Sequence, residues 1–302
     1  MDALSLRGLT KRYGRIEALH GVDLTLPRGE IYGLVGLNGA GKTTTIECAL
    51  GLQRFDGGQA TILGLPPSEI HRSGGRITAA LDAPALHPHL TVRQELEHGW
   101  ILCGRGGRSP REIEPLLGLE SLASRRTREL SLGNRRRLSV ALALLGSPEL
   151  AMLDEPFSGL DAAGVEELIA LVRRLVREEG TTFLFSSHQL DLVERAATRL
   201  GIIHEGRMLR EGSLVEVLDG GAERIRIDVG DAARALEVLR AKFPGLDAAR
   251  SPDGALAVSA AGFKAAEMNA ELVRAGIAVS ALGIERPSLA SAFRRVTGFE
   301  AE

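Results

Sequence analysis

At 302 residues the chain has room for about two domains of roughly 150 residues each. Hydrophobic residues make up 44% and charged residues 25%, ordinary globular usage, so a sizeable core is expected and long disordered stretches are not. The formal net charge of −2 lacks the basic excess of a general nucleic-acid binder, so no nucleic-acid partner is expected.

Among the 37 basic residues only Lys11, Lys42, Lys242 and Lys264 are lysine, a bias read as GC-rich codon usage. Cys48 and Cys103 have no metal-ligand neighbours and read as buried thiols in a reducing cytosol. The opening MDALSLRGLTKRYG holds no long apolar stretch, so no signal peptide is expected. No run approaches the ~18 apolar residues of a membrane helix, which places any membrane part on another chain.

Leu4, Leu6 and Leu9, then Val22, Leu24 and Leu26, give two period-2 segments that predict antiparallel strands. Ile31 to Val35 is an apolar run suited to a buried strand. From residue 77 to 145 helical patterns and loop signals (Pro84, Pro88, Gly104, Gly106, Gly107, Pro110) predict a mostly helical stretch, with an insertion over about 82–145. Leu150 to Leu153 predicts another strand. Val165, Leu168, Ile169, Val172, Leu175 and Val176 fall on one helical face that Gly180 ends. Thr181 to Phe185 predicts a third apolar strand, and Leu200 to Leu209 a hairpin. Strands alternating with helices imply a largely parallel sheet covered on both faces.

The pattern changes around Asp219-Gly220-Gly221. Ile225, Ile227 and Val229 alternate, Ala232 to Phe243 is helical, and Leu256, Val258 and then Phe263 to Leu272 repeat strand and helix. Ile277 and Val279 begin a further strand, and a last helix is predicted from about Ser288 to Val296. The expected division is residues 1–218 and a small α+β module, 219–302, which carries no catalytic motif.

Gly36-Leu37-Asn38-Gly39-Ala40-Gly41-Lys42-Thr43-Thr44 matches the phosphate-binding loop, with an apolar strand before it and a helical pattern after. Its glycines let backbone N–H groups turn inward as an anion nest. The following helix adds its positive end. Lys42 supplies a point charge to β- and γ-phosphates, and the Thr43 hydroxyl can ligate Mg²⁺. The apolar run ending in Asp154 and Glu155 offers one acid for the magnesium shell and a second to orient or deprotonate a water. An apolar run before two acids is a weak sign by itself; it gains weight beside the loop.

With Leu130-Ser131-Leu132-Gly133-Asn134 between these motifs, and Ser158-Gly159-Leu160-Asp161 and Ser186-Ser187-His188 after them, residues 2 to about 218 resemble an ABC transporter ATPase. The resemblance implies an α/β P-loop cassette with a mixed sheet, antiparallel N-terminal strands and a helical insertion. It implies ATP and Mg²⁺ as ligands, with Tyr13 stacked on adenine, the loop from Gly36 to Thr44 on the phosphates and Asp154 beside the metal. Glu155 and the switch histidine His188 then support hydrolysis. Ser131 and Gly133 would contact the γ-phosphate bound by a second, identical subunit, and Asp161 would cross the dimer interface. The positive end of the helix after Ser131 would face that anion.

Two positions depart from the family pattern. The signature reads Leu132-Gly133-Asn134 where Gly-Gly-Gln is usual. Asp82 stands at the glutamine position that touches the metal site, and an ionised Asp cannot donate a hydrogen bond. The run Ala83 to Thr91, the variant signature and the short C-terminal extension together resemble the bacitracin-type and related drug-export branch. Arg135-Arg136-Arg137 reads as a solvated helix start. The expected function is therefore an ATP-hydrolysing subunit on the cytoplasmic face of the membrane. It would be docked through residues near 82–105 to a separate permease and would drive export of a drug, peptide antibiotic or lipid-like substrate. An importer ATPase, or a regulatory or immunity ATPase with slow turnover, is the alternative.

Overall fold

Alternating burial builds the first strands of the computed structural model, which describes residues 2–82, 85–218, 224–251, 254–259, 264–285 and 288–298. β1 (Asp2–Tyr13) pairs antiparallel with β2 (Ile16–Pro27). The six predicted apolar residues meet across the pair, Leu4 opposite Leu26, Leu6 opposite Leu24 and Leu9 opposite Val22. The three-residue step from Leu6 to Leu9 is a register shift, which returns Leu9 to the buried face. β3 (Ile31–Val35) is buried along its length and feeds α1 (Lys42–Ala49). β4 (Gly57–Ile62), which the sequence pattern did not predict, joins the other side of β1.

The stretch predicted as helical from residue 77 begins instead with a strand, β5 (Ile77–Ala80). Its four residues are too few for periodicity to show, and it is defined by pairing. The helices follow: α2 (Val92–Leu102), α3 (Pro110–Leu116) and α4 (Leu132–Leu144). Next come β6 (Leu150–Asp154), α5 (Ala162–Glu179), β7 (Thr182–Ser187), α6 (Leu190–Ala196), β8 (Arg199–His204), β9 (Arg207–Ser213) and the single turn α7 (Leu214–Val217). The side chains of Thr91, Ser131 and Asp161 accept the amides of Gln94, Asn134 and Gly164 and so start α2, α4 and α5. Gly180, with φ 70°, ends α5.

β2, β1 and β4 form one antiparallel sheet, and a six-stranded sheet runs β5-β6-β7-β3-β8-β9. Its first five strands are mutually parallel, and β9 returns antiparallel to β8. A core of Leu4, Leu6, Leu24 and Leu26 with Ile46, Leu34, Met152 and Leu184 joins the antiparallel sheet, α1 and one face of the large sheet. Val165, Leu168, Ile169, Val172 and Leu175 of α5 are buried as predicted. Cys48 is buried, which pushes its thiol up to about 11; Cys103 is only partly buried.

The chain divides into two compact units, Met1–Leu214 and Val215–Glu302. The expected boundary at Asp219 to Gly221 lies outside the described residues, as do Ala83, Pro84 and Phe263. The second unit contains β10 (Arg224–Val229), α8 (Ala232–Lys242), β11 (Ala248–Arg250), β12 (Leu256–Ser259), α9 (Ala265–Arg274), β13 (Val279–Glu285) and α10 (Leu289–Thr297). Its strands lie in the order β11-β12-β10-β13, each pair antiparallel, with the βαββαβ connection of ferredoxin-like modules. Ile225, Ile227, Leu239, Leu256, Met268 and Leu272 form its core.

Candidate nucleotide-binding site

Strand register decides which groups meet. Val35 lies level with Ser187, Asp154 level with Ser186, and Ala80 level with Leu153. The carboxyl ends of β3, β5, β6 and β7 therefore reach one edge, where open α/β sheets bind ligands.

The loop after β3 turns into α1 at Gly41, whose φ of 106° a side-chain-bearing residue rarely adopts. Lys42 is 7% exposed and curls back into the loop: Nζ donates to the carbonyl oxygens of Gly36 at 2.8 Å and Leu37 at 3.2 Å. Burial holds the Lys42 ammonium below its ordinary pKa, with Glu155 and Asp154 pulling the other way. Thr43 Oγ1 donates to Asp154 Oδ2 at 2.8 Å, and Ser186 Oγ donates to Asp154 Oδ1. Asp154, 1% exposed, thus has both oxygens engaged, as a buried carboxylate requires.

Glu155 follows at φ 49°, a left-handed conformation uncommon outside glycine and often found at functional sites. Its amide donates to the Ser186 carbonyl at 3.1 Å, which pins the turn. Oε1 lies 3.0 Å from His188 Nδ1 and 3.7 Å from Lys42 Nζ, and Oε2 accepts from Ser187 Oγ at 3.3 Å. Lys42, Thr43, Asp154, Glu155 and His188 form one connected network. Thr43 and Asp154 together present a hydroxyl and a carboxylate, hard oxygens of the kind Mg²⁺ takes beside its waters, so the residues present fit that ion.

Tyr13, Ser131 and Gly133 make no hydrogen bond to this network among the described residues. Tyr13, at the end of β1, is 42% exposed, with Lys11 Nζ 4.8 Å from its ring centroid. Lys11 is itself anchored by a 2.6 Å bond to the Arg54 carbonyl. Ser131 caps α4 through Asn134 N at 3.3 Å, and with Gly133, Asn134, Arg137, Leu160 and Asp161 it lines a separate groove. Gly133 has a packing reason as well: a Cβ there would lie 2.5 Å from the Gly159 carbonyl oxygen. Among the described residues no hydrogen bond joins Ser131 or Gly133 to the loop from Gly36 to Thr44.

One expectation fails. Of Arg135-Arg136-Arg137 only Arg135 is exposed, so the run is not a solvated helix start. Arg136 is 3% exposed, and its guanidinium donates to the carbonyls of Leu81, Asp82 and Asp154 and to Asp82 Oδ1. Asp82 therefore directs Oδ1 to Arg136 at 2.7 Å rather than to the Thr43–Asp154 pair. Ser186 and Arg136 are the site residues that sequence reasoning missed. Their only sequence signal was position: Ser186 in the triplet ending at His188, Arg136 one turn after Ser131.

A glycine loop, its lysine and an acid pair at the carboxyl edge of a parallel sheet define a P-loop nucleotide hydrolase. The ABC transporter family model matches residues 19–158. The bacitracin transport ATP-binding protein BcrA of Enterococcus faecalis is 31% identical, over 98% of this chain and 96% of that one. The daunorubicin resistance ATP-binding protein DrrA2 of Streptomyces coeruleorubidus is 33% identical, over 100% and 98%. Among solved structures, a dimeric ATP-binding cassette in a post-hydrolysis state bound to ADP and Pi matches with TM-score 0.65 and 25% identity, over 70% of this chain and 98% of that one. The chain belongs to the ABC transporter family, as an ATP-binding, Mg²⁺-using and ATP-hydrolysing subunit. Such subunits work as dimers with a separate membrane permease. Among the described residues no helix is long and apolar enough to cross a membrane.

Proposed function

We propose that this chain drives export of a drug or peptide antibiotic from the cytoplasmic face of the membrane, as half of a homodimer docked to a separate permease. The names of its full-length relatives, concerned with bacitracin transport and daunorubicin resistance, support the cargo class.

Gly36, Asn38, Gly39, Ala40, Gly41 and Thr44 offer backbone amides to the phosphates, and Lys42 leaves its two carbonyl partners to meet them. Thr43 and Asp154 would hold magnesium, which supplies neutralisation of the phosphate charge. Tyr13 presents one ring face to adenine while Lys11 supports the ring. Ser131 and Gly133 close on the partner's γ-phosphate through the positive end of α4. Glu155 orients a water and accepts its proton as that water attacks the γ-phosphorus and the bond to the ADP oxygen breaks; His188 holds the carboxylate through Nδ1.

The observation that carries this reading is the Glu155 carboxylate, held by a left-handed backbone between Lys42, Ser187 and His188. Glu155→Gln is expected to lower steady-state ATPase turnover by about 10²–10⁴-fold and to accumulate an ATP-bound dimer, measured by phosphate release and sedimentation. Unchanged turnover without dimer accumulation overturns the catalytic assignment. A deletion strain should become more sensitive to cyclic peptide antibiotics or anthracyclines and accumulate them; unchanged sensitivity and accumulation overturn the export reading.

A further inference from the structure

α4 begins at the signature segment, and one turn further on it carries Arg136. Arg136 Nη1 donates to the carbonyl oxygens of Leu81 and Asp154, each at 3.2 Å. Nη2 donates to the Asp82 carbonyl at 2.8 Å and to Asp82 Oδ1 at 2.7 Å. One guanidinium thus grips the chain just beyond β5 and the last residue of β6 while its own backbone belongs to α4.

A buried guanidinium needs a counter-charge, and Asp82 provides it. Arg136 Nε is buried without a partner, so the fork is fastened only through its two terminal nitrogens. Asp154 is held at both ends of the residue: its carboxylate oxygens by Thr43 and Ser186, its carbonyl by Arg136. One side chain thus links Asp154, and through it Thr43, to α4 one turn beyond the Ser131 cap. The negative charge of Asp82 is also felt at the Lys42 ammonium.

We propose that Arg136 and Asp82 are a matched pair of positioning residues that couples the nucleotide loop to the signature end of α4. The Asp at residue 82 departs from the family's glutamine because Arg136 supplies the donors and needs the charge. Arginine is required because a lysine offers a point charge where the geometry uses a fork. The proposal rests on the reading that Ser131 and Gly133 complete the partner's site.

The test is a double-mutant cycle in the Glu155→Gln background. ATP affinity is measured by calorimetry with Mg²⁺, and ATP-driven dimer formation by analytical ultracentrifugation. Arg136→Met is expected to weaken dimer formation about tenfold or more while ATP affinity of the monomer stays within about threefold. Asp82→Asn should act in the same direction. The double variant Asp82→Asn/Arg136→Met should be no worse than Arg136→Met alone, because the two share one interaction. Additive effects, or dimer formation equal to the parent in Arg136→Met, overturn the pairing. Should Arg136→Met fail to fold, Arg136→Lys and Asp82→Asn replace it in the cycle with the same expected signs. A parent Glu155→Gln that binds ATP and never dimerises overturns the underlying reading and the pairing with it. A parent that dimerises alongside an indifferent Arg136→Met removes the pairing alone.

Discussion

Lys42 parks its ammonium on two loop carbonyls, so it is available for phosphate but never loose in solvent. Lys42→Met removes charge-assisted hydrogen bonds worth about 1.5–3 kcal/mol, so MgATP affinity is expected to fall roughly 10- to 150-fold in a calorimetric titration. Asp161 illustrates a residue with two separable uses. It caps α5 by accepting from Gly164 N at 3.0 Å, and it is the acid expected at the dimer interface. Asp161→Ala should cost about 1 kcal/mol in urea unfolding of the monomer, whereas Asp161→Asn should retain the cap. An interface role would show as weaker ATP-driven dimer formation in Asp161→Asn at unchanged monomer stability.

Between elements, a half-buried acid joins three strands. Glu211 on β9 accepts from the Thr25 amide of β2 at 2.7 Å and from the Tyr32 hydroxyl of β3 at 3.1 Å. Burial raises its pKa above the ordinary glutamate value, against the lowering effect of those two donors. The folded chain thus keeps this proton to higher pH than the unfolded chain does. The stability it contributes is full below the ordinary glutamate value and is lost as pH rises through the raised one. Glu211→Gln keeps an acceptor and removes the titration. Urea midpoints between pH 4 and 7 should slope less steeply downward for this variant, and its stability at pH 7 should equal or exceed the parent's. Strand β5 belongs to the same scale. Its pairing with β6 carries the chain to Asp82 beside Arg136, so a four-residue strand places the departure from the family's glutamine against the end of the acid-bearing strand.

As a whole molecule the chain is two units with separate cores, one around Leu4, Leu34 and Met152 and one around Ile225, Leu256 and Met268. The network around Lys42 draws only on the first. Residues 1–218 expressed alone should therefore unfold cooperatively and bind MgATP within about threefold of the full chain. A truncated chain that fails to fold would show that the second core supports the first.

The phosphate loop, the acid pair and the leucine pairs of β1 and β2 were legible in the sequence because each is a local pattern. Closely spaced glycines before Lys42, an apolar run ending in Asp154 and Glu155, and a two-residue period declare themselves within a dozen residues. Strands β4 and β5 were not legible, since their existence depends on partners far along the chain. Arg136 was misread for the same reason. Three arginines at a helix start have one local pattern whether they face water or the ends of two strands, and only the packing of α4 against β5 and β6 turned the middle one inward. Local chemistry specified what could bind; long-range strand order, a matter of which distant segments bury each other, decided that Asp82, Arg136, Asp154 and Ser186 stand together.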